Sequence, residues 1–340
     1  MELSYEAISL RLVEPLRISY GASFDLTNVI VRLEHGGVVG LGEAAPSAKF
    51  GETPATVAAA LDLFRPALQR DPLHREAILS DIEKRLEGNR AAKAAIDFAL
   101  HDLAAKTMGV PLYRLLGLDP AATTYVTYTI GIDTVEAMVR KAVEAGRKYK
   151  YLKVKFGCPY DREIIEAISA ATPAIIRADV NGGWEARYAV RFINDVLTKH
   201  RVEFVEQPLH PADEKGMELL YRESALPLVG DESIGTVDDI VRLADRLDGV
   251  NIKLMKCGGI RPALQMIATA RALGLKVMLG CRTETSLAIT AAVHLSPLAD
   301  FADLDLHLML ERDPFLGATI DGEGRFVLPT GMGLGVTSLA

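Results

Sequence analysis

The stretch YLKVKFG, residues 151–157, reads as a short β-strand that carries two lysines among apolar residues. Lys153 and Lys155 are two apart, so on a strand both point to the same face. A buried strand has no ordinary use for two neighbouring ammonium groups. The fold around this strand must therefore supply either water or matching charge.

Working outward, similar segments recur along the chain. They are YVTYTI (125–130), AIIRAD (174–179), VEFVE (202–206), PLVGDE (227–232), GVNIKL (249–254), KVMLG (276–280) and FADLDL (301–306). Amphipathic stretches such as VEAMVRKAVEAG and RPALQMIATARALG lie between them. Eight strands alternating with helices over about 200 residues predict a (β/α)₈ barrel. The competing architecture is a doubly wound open sheet. It usually needs fewer strands, and no GxGxxG follows a strand here.

Upstream, SYEAISLRL and NVIVRLEHGGVVGLGEA alternate as strands, with His35-Gly36-Gly37 as a hairpin turn. Residues 53–118 then carry helical periodicity, with glycines at the stops. Strands followed by helices make an α+β unit over residues 1–120. The barrel takes residues 121–318, and the tail 319–340 has hairpin character and is expected to rejoin the first unit.

Composition limits the function. The 340 residues are 49% apolar and 24% charged, with a net charge of −7. No basic block suits nucleic acid or an anionic membrane. No apolar run is long enough to span a bilayer. Cys158, Cys257 and Cys281 form no metal-ligand pattern, which points to reduced thiols in the cytoplasm. A small-molecule substrate and a homo-oligomer are expected.

Catalytic groups of a barrel stand at the C-terminal ends of its strands. The third, fourth and fifth barrel strands end in Asp179, Glu206 and Asp231. Three hard oxygen ligands on rigid elements suit Mg²⁺. Lys155 and Lys253 lie on the second and sixth strands, on roughly opposite sides of a closed barrel. A lysine acts as a base near neutral pH only with a lowered pKa, and Lys153 is the neighbour able to lower that of Lys155. Solvated rim charges or pairing with the acids are the alternatives. Lys256, just past the sixth strand, reads as structural or peripheral.

KVK at 153–155, RADVNGGW at 177–184, VEQPL at 205–209, GDES at 230–233 and KLMKCGGI at 253–260 together resemble the enolase superfamily, muconate-lactonizing-enzyme subgroup. The resemblance implies an enolase-like α/β fold, with an N-terminal α+β capping domain and a (β/α)₇β barrel. It implies that Mg²⁺, held by Asp179, Glu206 and Asp231, binds a substrate carboxylate and stabilises an enediolate. Lys155 and Lys253 are then the acid/base pair, and Lys153 tunes Lys155. Asp303 and Asp305 resemble the DxD of dipeptide epimerases, which holds the substrate α-ammonium group. This implies an isomerase that interconverts L,L- and L,D-dipeptides by 1,1-proton transfer. An N-acylamino acid racemase, an o-succinylbenzoate synthase or a cycloisomerase is the alternative within the subgroup. A non-catalytic barrel scaffold is the remote one.

Substrate choice is expected to depend on cap segments 18–27 and 46–53 and on the end of the seventh barrel strand. Where relatives acting on L-Ala-D/L-Glu carry a cap arginine, the resemblance places Gly21. Arg282 supplies positive charge from the other side of the site instead, unless a salt bridge to Glu284 or another rim acid consumes it. Arg17 and Lys49 are further cap candidates. Thr127, Cys281 and Thr283 complete the expected substrate contacts, with Asn181 and Glu232 in secondary positions.

Overall fold

The computed structural model describes residues 1–339. Three antiparallel strands come first: β1 (Glu2–Ile18), β2 (Gly21–His35) and β3 (Val38–Ala44). Gly36 and Gly37 both take positive φ (58° and 77°) in the two-residue turn between β2 and β3, the conformation a tight hairpin needs. The β1–β2 pairing shifts register between Arg11 and Leu16. Pro15 lies in that irregular stretch and has no N–H to give the ladder. Segment 18–27, expected to bear on substrate choice, is mostly the start of β2, so the β1–β2 ribbon runs on to a tip at Ser19–Tyr20.

Helices α1 (Pro54–Phe64), α2 (Arg75–Arg85) and α3 (Arg90–Thr107) follow the sheet. The alanine-rich α3 is buried from Ala91 to Ala105, because it packs against the sheet on one side and the barrel on the other. Asp102 on α3 is buried and accepts hydrogen bonds from Leu41 N (2.8 Å), Lys106 Nζ (2.7 Å) and Leu334 N (2.7 Å). Leu334 of the tail thus reaches α3 of the cap. On the way the tail pairs Thr319–Ile320 with Phe326–Val327 and meets the start of the barrel at Tyr125.

Eight parallel strands form the barrel in chain order: β4 (Thr127–Ile130), β5 (Tyr151–Lys155), β6 (Ile175–Asp179), β7 (Val202–Glu206), β8 (Leu228–Gly230), β9 (Gly249–Lys253), β10 (Lys276–Gly280) and β11 (Phe301–Asp303). A bridge between Val126 and Ala302 joins the first strand to the last. Strand β11 is half the length that FADLDL suggests, because the chain turns after Asp303 and enters a 3₁₀ helix at Leu306. The lower barrel is filled by Arg177, stacked on Tyr151, Phe204 and Phe301 and paired with Glu203 at 2.7 Å.

Candidate active site

Strand register sets the site. Lys155 on β5 pairs with Asp179 on β6, and Asp179 pairs with Glu206 on β7. Across the barrel, Gly280 on β10 pairs with both Lys253 on β9 and Asp303 on β11. Two triplets therefore stand at the strand ends on opposite arcs of one rim. Asp231, the residue after β8, lies between them in strand order. A side chain at Gly280 would put its Cβ 2.4 Å from Asn251 Oδ1. Asn251 in turn donates to Glu206 Oε1 at 2.8 Å, so the glycine protects a support of the carboxylate set.

The lysines of the opening strand are inside: Lys153 is 1% exposed and Lys155 is 7%. Matching charge keeps them there. Lys153 Nζ lies 2.5 Å from Asp303, 2.9 Å from Asp179 and 2.9 Å from Glu206. Burial opposes its charge, but the fields of Asp179, Asp303 and Glu206 outweigh burial and hold its pKa well above the ordinary value. Lys153, expected to tune Lys155, thus stands among three carboxylates at the base of the rim. Lys155 Nζ lies 2.6 Å from Asp179 and Lys253 Nζ 2.8 Å from Asp231. Lys256 is not peripheral. It is buried against Asp231 Oδ1 at 2.7 Å.

Asp179, Glu206 and Asp231 are each at most 1% exposed. Burial pushes Glu206 up to about 8, with Asp179 adding to the rise. Asp231 is held well below its ordinary value, because Lys253 and Lys256 outweigh its burial. Among the described residues no three acidic, histidine or cysteine side chains already converge as a metal cage. The donor chemistry nevertheless fits a hard divalent cation: three buried carboxylates end successive strands. Glu206 Oε2, in charge contact with Lys153, makes no hydrogen bond.

A cavity of about 340 Å³ opens above this rim. Lys153, Lys155, Lys253, Asp231, Asp303, Asn181, Glu232, Cys281, Arg282 and Thr283 all line it. Cap residues Leu16, Ile18, Tyr20, Leu26, Asn28, Lys49 and Phe50 close its outer side. The ribbon tip is tied down by Tyr20 OH donating to Glu232 at 3.2 Å and Ser19 donating to Asn181 O at 3.3 Å. Arg17, the other cap candidate, is not on the wall.

Two expected contacts are corrected. Thr127 is fully buried low in the barrel, where it donates to Ala302 O at 2.7 Å and accepts from Arg177. The residue that reaches the cavity is Thr129, two positions further up the same face. Asp305 does not stand beside Asp303 on the cavity wall. The strand has ended, and Asp305 turns back to accept from Thr129 N at 2.6 Å and Thr129 Oγ1 at 3.1 Å. Burial, with Asp303 nearby, pushes its pKa to about 8.

Sequence reasoning missed two supporting residues. Gln207 takes φ +36°, and its Oε1 accepts from Asp231 N, Ser233 N and Ser233 Oγ, which fixes the turn that presents Asp231. Glu43 of β3 is fully buried and accepts from Asn28 Nδ2 (2.7 Å), Thr285 N (3.0 Å), Thr285 Oγ1 (2.6 Å) and Ala288 N (3.2 Å). A cap carboxylate thereby caps the barrel helix Ser286–Val293 and pins the segment that carries Cys281, Arg282 and Thr283. No local pattern announces this, because 242 residues separate Glu43 from Thr285.

Comparison with known proteins agrees with this geometry. Residues 5–117 match the mandelate racemase/muconate lactonizing enzyme N-terminal domain, and residues 134–339 match the enolase C-terminal domain-like model. The chain is 37% identical over 340 residues to the L-Ala-D/L-Glu epimerase of Bacteroides thetaiotaomicron, covering 100% of this chain and 88% of that one. It is 39% identical over 334 residues to the hydrophobic dipeptide epimerase of Roseobacter litoralis, covering 94% of each. The Enterococcus faecalis dipeptide epimerase, solved with Mg and L-Leu-L-Tyr, superposes with a TM-score of 0.93 at 33% identity over 98% of both chains. The substrate-liganded L-Ala-D/L-Glu epimerase of Bacillus subtilis gives 0.93 at 32% identity, over 100% of this chain and 99% of that one. Fold, site and relatives together place the chain in the mandelate racemase/muconate lactonizing enzyme family of enolase-like proteins.

Proposed function

We propose that this protein is a Mg²⁺-dependent dipeptide epimerase, an isomerase that inverts one α-carbon of a dipeptide by moving a proton from one face to the other. The observation that carries the reading is the pair Lys155 and Lys253. They stand on β5 and β9, four strands apart in an eight-stranded barrel, and both open into one cavity. One base is enough for elimination, whereas inversion through proton exchange needs a donor on the face opposite the base.

Asp179, Glu206 and Asp231 would hold the metal, which when bound supplies a Lewis acid for the charge that grows on the substrate carboxylate. In one direction Nζ of Lys155 takes the α-proton, and Nζ of Lys253 delivers one to the opposite face. In the reverse direction the roles exchange. Lys153 bridges Glu206 and Asp303 and holds that side of the rim together. Asp303, on the wall, offers an acceptor to the dipeptide's ammonium group, with Thr129 Oγ1 orienting it from 3.2 Å. Cap residues Tyr20, Lys49 and Phe50 form the outer wall of the cavity, and the ribbon tip is tied to Glu232 and Asn181. Among the described residues no helix is long and apolar enough to cross a membrane. A cytoplasmic location is part of the proposal, supported by three free cysteines.

The test is a panel of L,L-dipeptides in D₂O, followed by NMR with and without EDTA. One α-deuteron should enter and L,D-product should accumulate, and both should stop on chelation. Turnover of N-acyl amino acids with no exchange in any dipeptide would refute the proposal.

A further inference from the structure

Six cationic side chains line the cavity: Lys49, Lys153, Lys155, Lys253, Lys256 and Arg282. Five have a carboxylate partner. The four barrel lysines lie 2.5–2.8 Å from one, and Lys49 lies 3.7 Å from Glu232. Arg282 differs. Among the described residues its guanidinium makes no ion pair and no hydrogen bond, so the alternative of a salt bridge to Glu284 is not formed. Glu284 accepts from the Arg282 backbone N at 2.8 Å instead.

The guanidinium is held without being consumed. Its Cζ lies 4.8 Å from the centroid of the Phe50 ring, a cation–π contact that uses no N–H donor. Its backbone is anchored from both domains, by Glu284, by Asn28 Nδ2 on Thr283 O at 3.1 Å and by Glu43 on Thr285. An arginine so placed pays little ordering entropy on binding and presents a planar fork of donors. The ligand that fits a fork is a carboxylate.

We propose that Arg282 is an anion subsite that makes the enzyme select dipeptides bearing a side-chain carboxylate. This rests on the dipeptide epimerase reading above and adds the chemical class of substrate. Family membership does not decide it, since relatives of similar identity are named for both L-Ala-D/L-Glu and hydrophobic dipeptides. The positive charge comes from the barrel side, at the end of β10, and the cap contributes the aromatic surface beneath it.

The experiment compares kcat/KM for isosteric pairs, L-Ala-L-Glu against L-Ala-L-Gln and L-Glu-L-Ala against L-Gln-L-Ala, in the full-length enzyme with Mg²⁺. The acidic member of one pair should lead by about 10–100-fold, the range of a charge-assisted hydrogen bond. In Arg282→Met, which keeps stem packing on Phe50, that ratio should collapse toward one. Arg282→Lys should restore part of it. A wild-type ratio near one in both pairs overturns the inference, and needs no variant to fold. So does a variant that lowers both members equally, since Arg282 would then serve the carboxylate all dipeptides share. Exchange without acid preference overturns this inference alone, while no exchange in any dipeptide overturns the function as well.

Discussion

Glu43→Gln probes the coupling between cap and site. Four donors end on the two carboxylate oxygens of Glu43, one from the cap and three from the segment at Thr285–Ala288. Glutamine keeps one acceptor oxygen and turns an NH₂ group toward donors, so about two of the four lose their partner. Each stranded buried donor costs about 1–3 kcal/mol, or about 2–6 kcal/mol together. Removing a buried negative charge offsets part of this, since burial already pushes the Glu43 carboxyl up. A net loss of about 2–4 kcal/mol follows. Urea unfolding read through Trp184, the single tryptophan, should show the midpoint falling by about 1 M. Dipeptide KM should rise more than kcat falls, because Arg282 and Thr283 lose their anchor while the lysines keep theirs. An unchanged midpoint would refute the hydrogen-bond accounting. A lower midpoint with unchanged KM would refute the link from Glu43 to the substrate wall.

Lys155→Ala and Lys253→Ala should each lower epimerisation by at least about 10²–10⁴. Each variant should retain deuterium exchange from one stereoisomer only, and the two should retain opposite ones. The same stereoisomer from both would contradict opposite-face delivery. His294 gives a pH prediction. It is buried, accepts from Tyr113 N through Nδ1 at 3.2 Å and meets Leu334 O through Nε2, so it is neutral in the fold. Burial pulls its pKa down to about 4. The unfolded chain, with an ordinary value near about 6.5, therefore binds the proton first, and stability falls as pH drops from about 6.5 to about 4, by about 3 kcal/mol in all. Glu206, Glu284 and Asp305, each raised to about 8, titrate with the opposite sign. His294→Gln should therefore be compared with wild type, and an identical pH slope for both would refute the assignment.

The barrel was legible because its strands and helices leave different periods in the chain. Asp179, Glu206, Asp231, Lys155 and Lys253 were legible as strand-end positions, since register along a parallel barrel puts strand ends at one rim. Height along a strand was less legible. Thr127 and Thr129 share a face, and only packing shows that the first faces Arg177 and the second the cavity. Asp305 misled because alternation was extended past a strand that stops at Asp303. Lys153 was recognised as anomalous, but its three carboxylate partners come from β6, β7 and β11, and spacing does not reveal whose charge it meets. The Glu43 network joins distant segments through hydrogen bonds that have no sequence period.

Asp102 ties this fold to the timing of its own synthesis. Its carboxylate needs Leu41 from the cap sheet and Leu334 from the tail, and 232 residues separate it from the latter. At 5–20 residues per second that interval is about 10–50 s. Through that time α3 has emerged while one of its buried acceptors still lacks a donor. The nascent cap is then a body whose innermost helix is not yet closed over. Its last tie arrives only when the segment around Gly333 leaves the ribosome, so the first part of the chain to be made is among the last to be finished.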